Sequence, residues 1–269
     1  MRKVLDKNIV LFDMDGTLTP ARMPIESDVI SSLKGLSNYA KIGIVTGSGM
    51  DYLTQQCSEL WSNDSGLSPE DITLMPCNGT QLYTWDGSSW NKDFSLNIKE
   101  HIGEDEYSEM VYAILGAQIF FMKMYSSISV SGNFISYRQS MINWCPIGRD
   151  CSYEERDIFC NEDSNNRIRR FLKQTLASRI SEDLLSRVKI TMGGNTSFDI
   201  YPVGWDKSFA LSHLDGSTCW FIGDRCFEDG NDRAIYEALL PLNRSFSVDS
   251  TQNTIEIVDE IISRIKQRA

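Results

Sequence analysis

The chain has 269 residues, 41% of them hydrophobic, and a formal net charge of -11 at pH 7. That length can bury one large core or two smaller ones, and two domains are the expectation. The acidic excess repels phosphodiester backbones and anionic membranes, so neither nucleic acid nor membrane is an expected partner, while small anions remain possible wherever arginines gather. In chain order, residues 9–12 (Ile-Val-Leu-Phe) read as a strand buried on both faces that stops at Asp13-Met14-Asp15-Gly16-Thr17. A helix over 25–39, a strand over 41–46 ending in Thr46-Gly47-Ser48, and a helix from Met50 to Leu60 follow, the β-α-β-α grammar of a parallel sheet. A third strand is expected over 72–77 and another over 81–85, with a hairpin at Asp86-Gly87 that carries the chain out of the sheet. From about Ser88 the pattern changes. A helical stretch over 106–118, alternating segments over 134–137 and 141–144, a helix over 165–180 and strands over 188–191 and 198–201 suggest an α+β insert. After Gly204-Trp205-Asp206 come a helix over 207–214, a buried strand over 219–222 ending in Gly223-Asp224, a short strand over 245–248 and a closing amphipathic helix.

Two strands tipped with acids about 210 residues apart can be neighbours only if the two ends of the chain build one sheet and the middle is inserted. The predicted architecture is therefore α/β: a doubly wound, Rossmann-like core of mainly parallel strands from residues 1–87 and 204–269, and an α+β cap from 88–203. In extended backbone positions i and i+2 share a side, so Asp13 and Asp15 are expected to converge at the carboxyl edge of the sheet, where such folds hold ligands. With Asp224 and Asp232 they make an all-oxygen set suited to a hard cation, Mg²⁺ before Zn²⁺, because paired cysteines and motif histidines are lacking. Turn-forming acids that cap the next helix would give the same local pattern. His101 and His213 are read as structural. The chemistry that fits is phosphoryl transfer through a carboxylate nucleophile, Asp13, with Asp15 as general acid/base, and Thr46, Ser48 and Lys207 offsetting phosphate charge. Taken singly, Thr46 and Ser48 could be helix caps and Lys207 a solvated side chain. Seven scattered cysteines without a C-x-x-C pair indicate reduced thiols in a cytoplasmic protein. The residues before Asp13 are too few for a signal peptide, and the longest uncharged apolar stretch, 110–122, is too short to span a bilayer.

Asp13-Met14-Asp15-Gly16-Thr17, Thr46-Gly47-Ser48, Lys207 and Gly223-Asp224 with Asn231-Asp232 resemble the four motifs of the haloacid dehalogenase superfamily. More narrowly, residues 13–22 (DMDGTLTPAR), 137–151 (YRQSMINWCPIGRDC) and 193–207 (GGNTSFDIYPVGWDK) are similar to the eukaryotic-type phosphomannomutases. The resemblance implies interconversion of mannose 6-phosphate and mannose 1-phosphate, with a hexose 1,6-bisphosphate as activator and Mg²⁺ among the aspartates. By resemblance Arg22, Arg138 and Arg149 contact phosphate or sugar, Ser197 and Asp199 hold hydroxyls, and the chain pairs as a homodimer through its cap. Forked guanidinium groups suit a reaction that must hold whichever phosphate is not reacting. A Mg²⁺-dependent sugar-phosphate phosphatase using the same aspartates is the alternative, separated by bisphosphate dependence, and a sugar-phosphate sensor without turnover is a third reading. Glycines near the two chain crossings, Gly87 and Gly204, suggest that cap and core open and close. The sequence departs from the family pattern at Ser131, where a phosphate-binding arginine is expected, at Glu228-Asp229 in place of Pro-Gly, and at Ala238, where an acid belongs to a secondary ion site.

Overall fold

In the computed structural model, which describes residues 8–268, the apolar run Ile9–Phe12 forms strand β1 with all four side chains buried. Alternation explains why no polar residue is tolerated there. Val10 and Phe12 join one apolar cluster while Ile9 and Leu11 join a second on the opposite face of the sheet. Helix α1 (Ser27–Ser37) packs Val29, Leu33 and Leu36 onto the first cluster. Strand β2 (Lys41–Val45), helix α2 (Met50–Cys57) and strand β3 (Ile72–Met75) follow. Strands β4 (Gln81–Trp85) and β5 (Trp90–Ser95) then form an antiparallel hairpin.

The chain divides into two units, Met1–Ser95 with Trp205–Ala269, and Leu96–Gly204. The turn at Asp86-Gly87 thus does not take the chain out of the first sheet. Gly87, at φ 101, closes the β4–β5 hairpin, and the crossing lies after Ser95. Only Gly204, at φ 84, keeps its expected place at a boundary between units.

The second unit contains helices α3 (Ile98–Ile102) and α4 (Glu104–Met124) and strands β6 (Ile135–Tyr137) and β7 (Ile142–Trp144). Helices α5 (Tyr153–Glu162), α6 (Arg167–Ala177) and α7 (Glu182–Arg187) and strands β8 (Val188–Gly193) and β9 (Ser197–Pro202) complete it. Its four strands pair antiparallel in the order β6-β7-β9-β8. One face of this sheet is apolar, with Trp144 stacked on Phe198 at 4.9 Å between ring centroids. The other face is polar. Register sets Asn143 opposite Asp199, with Ser197 two residues before it on the same side.

The chain returns to the first unit through the helical segment expected over 207–214, which is 3₁₀ over Lys207–His213. Strand β10 (Cys219–Gly223), helix α8 (Arg233–Leu239), strand β11 (Ser245–Ser247) and helix α9 (Thr251–Arg268) finish it. The seven-stranded order is β11-β10-β1-β2-β3-β4-β5, parallel from β11 to β3. Strand order reverses beside β1, with β2 on one side and β10 on the other, which makes the carboxyl ends of β1 and β10 the switch point of the sheet.

Candidate active site

Asp13 follows β1 directly and its backbone N–H bonds the Ile222 carbonyl of β10 at 2.9 Å, so Asp13 and Asp224 emerge from adjacent strands at the same edge. Carboxylate oxygens of Asp13, Asp224 and Asp232 lie within 4.8 Å of one another. Asp232 stands at the N-terminal boundary of α8 and is wholly buried, and one of its oxygens accepts from the Arg225 backbone N–H at 3.0 Å. Lys207, also wholly buried, donates from Nζ to both Asp13 and Asp232. The glycines here answer to carboxylates. A Cβ on Gly16, which sits at φ 87, would lie 2.5 Å from Asp224 Oδ2, and one on Gly223 would lie 2.7 Å from Asp232 Oδ2.

Three acids sharing one ammonium are under-compensated. Burial first, and the Asp232 carboxylate second, raise the Asp13 pKa well above the ordinary range, although Lys207 opposes them. The same two causes push Asp224 up to about 6. Burial alone would lower the Lys207 pKa, but Asp13 and Asp232 outweigh it and hold the ammonium charged. Asp224 Oδ1 and Asn231 Oδ1 are buried with no hydrogen-bond donor. An orphaned oxygen on one of three clustered carboxylates is what an oxygen-liganded divalent cation satisfies, so the donor set fits Mg²⁺.

Asp15, expected among the ligands, does not join this group. The chain leaves the extended conformation at Met14, whose carbonyl accepts from the N–H groups of Leu18 and Thr19, and this turn breaks the i, i+2 parity. Asp15 Oδ1 instead accepts from the Arg22 backbone N–H at 2.8 Å. Arg22, at φ 63, donates from Nε to the Tyr52 hydroxyl at 3.0 Å. Tyr52 is not legible in the sequence, because an aromatic on a helix gives no signal beyond packing. Thr46 lies just past β2 at the same sheet edge, buried, with its hydroxyl accepting from the Ser48 N–H at 3.1 Å. The Asn78 N–H bonds the Thr46 carbonyl and the Cys77 N–H bonds that of Ser48.

The remaining expected contacts gather on the polar face of the second unit's sheet. Arg149 Nη1 donates to Asn143 Oδ1 at 2.9 Å, and Asn143 Nδ2 donates to Asp199 Oδ1 at 2.8 Å and to Ser197 Oγ at 3.1 Å. Arg138 Nη1 lies 3.6 Å from Asp199 Oδ1. Arg156, not singled out in the sequence, bonds Thr196 Oγ1 and the Arg149 carbonyl, each at 2.9 Å. Its signal was the Ser152-to-Glu155 capping box that starts α5 and places Arg156 one residue into the helix beyond it. Ser131 Oγ donates to Glu155 Oε2 at 3.1 Å, so the position expected to carry a cation carries a hydroxyl paired with an acid. Of the histidines, His213 is held in the first unit, with Nε2 2.8 Å from the Gly79 carbonyl and its ring against Phe94. All seven cysteines are free thiols.

Among known proteins, residues 29–264 match the family described as eukaryotic phosphomannomutase. Phosphomannomutase 2 of Dictyostelium discoideum is 33% identical over 261 residues, covering 94% of this chain and 95% of that protein. The phosphomannomutase of Arabidopsis thaliana is 33% identical over 251 residues, covering 92% and 93%. A solved structure of an N-terminally truncated, IMP-bound Plasmodium falciparum IMP-nucleotidase superposes with a TM-score of 0.60 at 17% identity, over 96% of this chain and 68% of that one, a likeness of fold. Matched along nearly its whole length by relatives that are themselves covered almost end to end, the chain belongs to the eukaryotic phosphomannomutase family.

Proposed function

We propose that this enzyme interconverts mannose 6-phosphate and mannose 1-phosphate through an aspartyl phosphate on Asp13. The observation that carries the reading is the bonding of Lys207 to both Asp13 and Asp232 at the edge where Asp224 also emerges. In this scheme the Asp13 carboxylate attacks phosphorus of a hexose 1,6-bisphosphate in line, the P–O bond to the sugar breaks, and Asp15 protonates the departing oxygen. A sugar monophosphate then presents its free hydroxyl, Asp15 takes the proton, and the phosphoryl group passes from Asp13 to that oxygen. Lys207 holds the nucleophile in place and offsets phosphate charge, with Thr46 and Ser48 as donors at the same edge. Mg²⁺ held by Asp13, Asp224 and Asp232 would supply the further positive charge that lets a phosphate dianion approach a carboxylate. Arg22, Arg138, Arg149, Ser197 and Asp199 hold the sugar and the phosphate that is not reacting.

Two further readings accompany this one. Tyr112, Leu115, Ile119 and Met122 form an exposed apolar stripe at helical spacing on α4, which supports pairing with a second copy through this helix. The free thiols support a reducing compartment, the cytoplasm, where mannose 1-phosphate would enter GDP-mannose synthesis. The direct test of the activity is phosphorus NMR of mannose 1-phosphate with Mg²⁺ and catalytic glucose 1,6-bisphosphate. Formation of the 6-phosphate is expected. Steady release of inorganic phosphate with no isomer would replace the mutase reading with a phosphatase.

A further inference from the structure

Asn143 lies at the centre of strand β7 between two large apolar neighbours, Ile142 and Trp144, that anchor the strand on the opposite face. A neutral polar residue only 2% exposed in this setting needs partners for both ends of its amide. It has them. Arginine can only donate, so the contact with Arg149 Nη1 fixes Oδ1 toward the guanidinium and Nδ2 toward β9. There the amide meets Asp199 Oδ1 at 2.8 Å, and Ser197 Oγ and the Phe198 carbonyl at 3.1 Å each. Ser197 spends its own proton on the Gly193 carbonyl at 2.7 Å, which leaves its lone pairs for Asn143. Asp199 is confined from another side, because a Cβ on Gly193 would lie 2.5 Å from Asp199 Oδ2.

We propose that Asn143 is a positioning residue for substrate recognition: one amide sets Arg149, Ser197 and Asp199 in register, and keeps Arg149 from pairing directly with Asp199. A carboxylate in its place would confront Asp199 across the strand pair, and an apolar isostere would leave both a guanidinium and a carboxylate to find each other. The proposal rests on the mutase reading, in which these three residues hold the distal end of the sugar phosphate. Asn143 touches none of the reacting atoms, so its loss acts on binding rather than on chemistry at Asp13.

The test compares Asn143→Leu and Asn143→Asp with the unaltered protein, using mannose 1-phosphate with catalytic bisphosphate, and p-nitrophenyl phosphate as a substrate with no distal group. For Asn143→Leu, KM for mannose 1-phosphate should rise on the order of 10- to 100-fold, the effect of losing hydrogen bonds to charged partners. Its kcat should stay within roughly threefold and p-nitrophenyl phosphate hydrolysis should not change. For Asn143→Asp, the introduced carboxyl takes up a proton as pH falls and then mimics the amide, accepting from Arg149 and donating to Asp199. Its KM ratio to the unaltered protein should therefore shrink steadily from pH 8 to pH 6. A KM within twofold for the Leu variant, equal losses on both substrates, or an Asp variant whose deficit is constant with pH would each overturn the proposal. If the Leu variant does not fold, the pH series of the Asp variant decides. Unaltered protein that releases phosphate without isomerising refutes the mutase reading instead, and the same KM comparison on sugar-phosphate hydrolysis still judges Asn143.

Discussion

Replacing Lys207 with methionine keeps the length and the apolar stem of a wholly buried side chain and removes only its charge and its donors. In the unaltered protein three carboxylates and one ammonium leave two negative charges at the end of β1 and β10, the charge one divalent cation cancels. At separations of no more than 4.8 Å and an effective dielectric of about 20, each pair of like charges costs at least ~3.5 kcal/mol. Lys207→Met removes the two attractive contacts that offset this, and breaking a buried pair in that way costs about 3–5 kcal/mol. The sign with pH follows from the direction of the acid shifts. Asp13 and Asp224 have folded-state pKa values above their unfolded ones, so the native state binds protons more tightly; the Asp224 contribution is lost as pH rises from about 4 through 6, and the Asp13 contribution falls in the same direction. Without Lys207 that loss deepens. Urea unfolding of the metal-free variant should show a larger deficit at pH 7.5 than at pH 5, with Mg²⁺ recovering part of it. Turnover should fall at least ~10³-fold, the scale for removing a preorganised charge at a reacting phosphate. A variant as stable as the parent at pH 7.5, or one retaining a tenth of its activity, would refute the assignment of Lys207 as the counter-charge.

Other perturbations probe neighbouring parts of the same argument. Because Asp224 is pushed up to about 6 and Asp13 is raised as well, Mg²⁺ must displace protons in acid, and the apparent Kd for Mg²⁺ should rise at least about tenfold per pH unit between 6 and 5, read by thermal shift. Asp13→Asn keeps an acceptor for Lys207 while removing one repelling charge, so transfer should vanish while the metal-free melting temperature stays level or rises. Gly16→Ala sets a Cβ 2.5 Å from Asp224 Oδ2 at a φ of 87, and should cost at least ~1–2 kcal/mol in unfolding and displace Asp224, lowering Mg²⁺ affinity. Asp229 occupies φ 67 in the last motif, so Asp229→Gly should stabilise by about 0.5–1 kcal/mol in urea titration with unchanged kcat.

What the sequence revealed and what it hid divide along physical lines. The parallel strands were legible because burial on both faces demands unbroken apolar runs, as in Ile9–Phe12 and Cys219–Gly223. Strand β5 was not, because it is an edge strand whose Asn91, Lys92 and Asp93 are exposed, and such residues carry no alternation. Helix α5 buries Phe159 alone, too little for a periodic face, and only its capping box betrays it. In the site, Asp13 and Asp224 could be placed because strand ends fix them, whereas Lys207, opening a 3₁₀ turn, and Asp232, at the start of α8, were legible through the motif resemblance. The orientation of Asp15 could not, since it depends on a turn in which Gly16 N–H bonds the Thr19 carbonyl, and strand parity says nothing about turns. Asn143 was hidden for another reason. A lone amide in a short strand has no pattern until the register brings Asp199 opposite it.

The two polar clusters are opposite in charge, and this bears on why the chain needs both. At the sheet edge of the first unit the side chains sum to two negative charges, a poor attractor for a phosphate until a cation is held there. On the polar face of the second unit, Arg138, Arg149 and Arg156 outnumber Asp199 and leave two positive charges, spread over guanidinium groups that are already oriented by Asn143, Thr196 and the backbone. In the proposed reaction the cluster of the second unit attracts phosphate unaided, whereas that of the first accepts it only with metal and lysine in place. On that reading the arginines would take either end of the sugar phosphate, since a guanidinium fork does not distinguish the carbon behind a phosphate. The cluster of the first unit is built around one nucleophile. Indifference in binding joined to strictness in chemistry is what exchanging a phosphoryl group between two positions on one sugar requires.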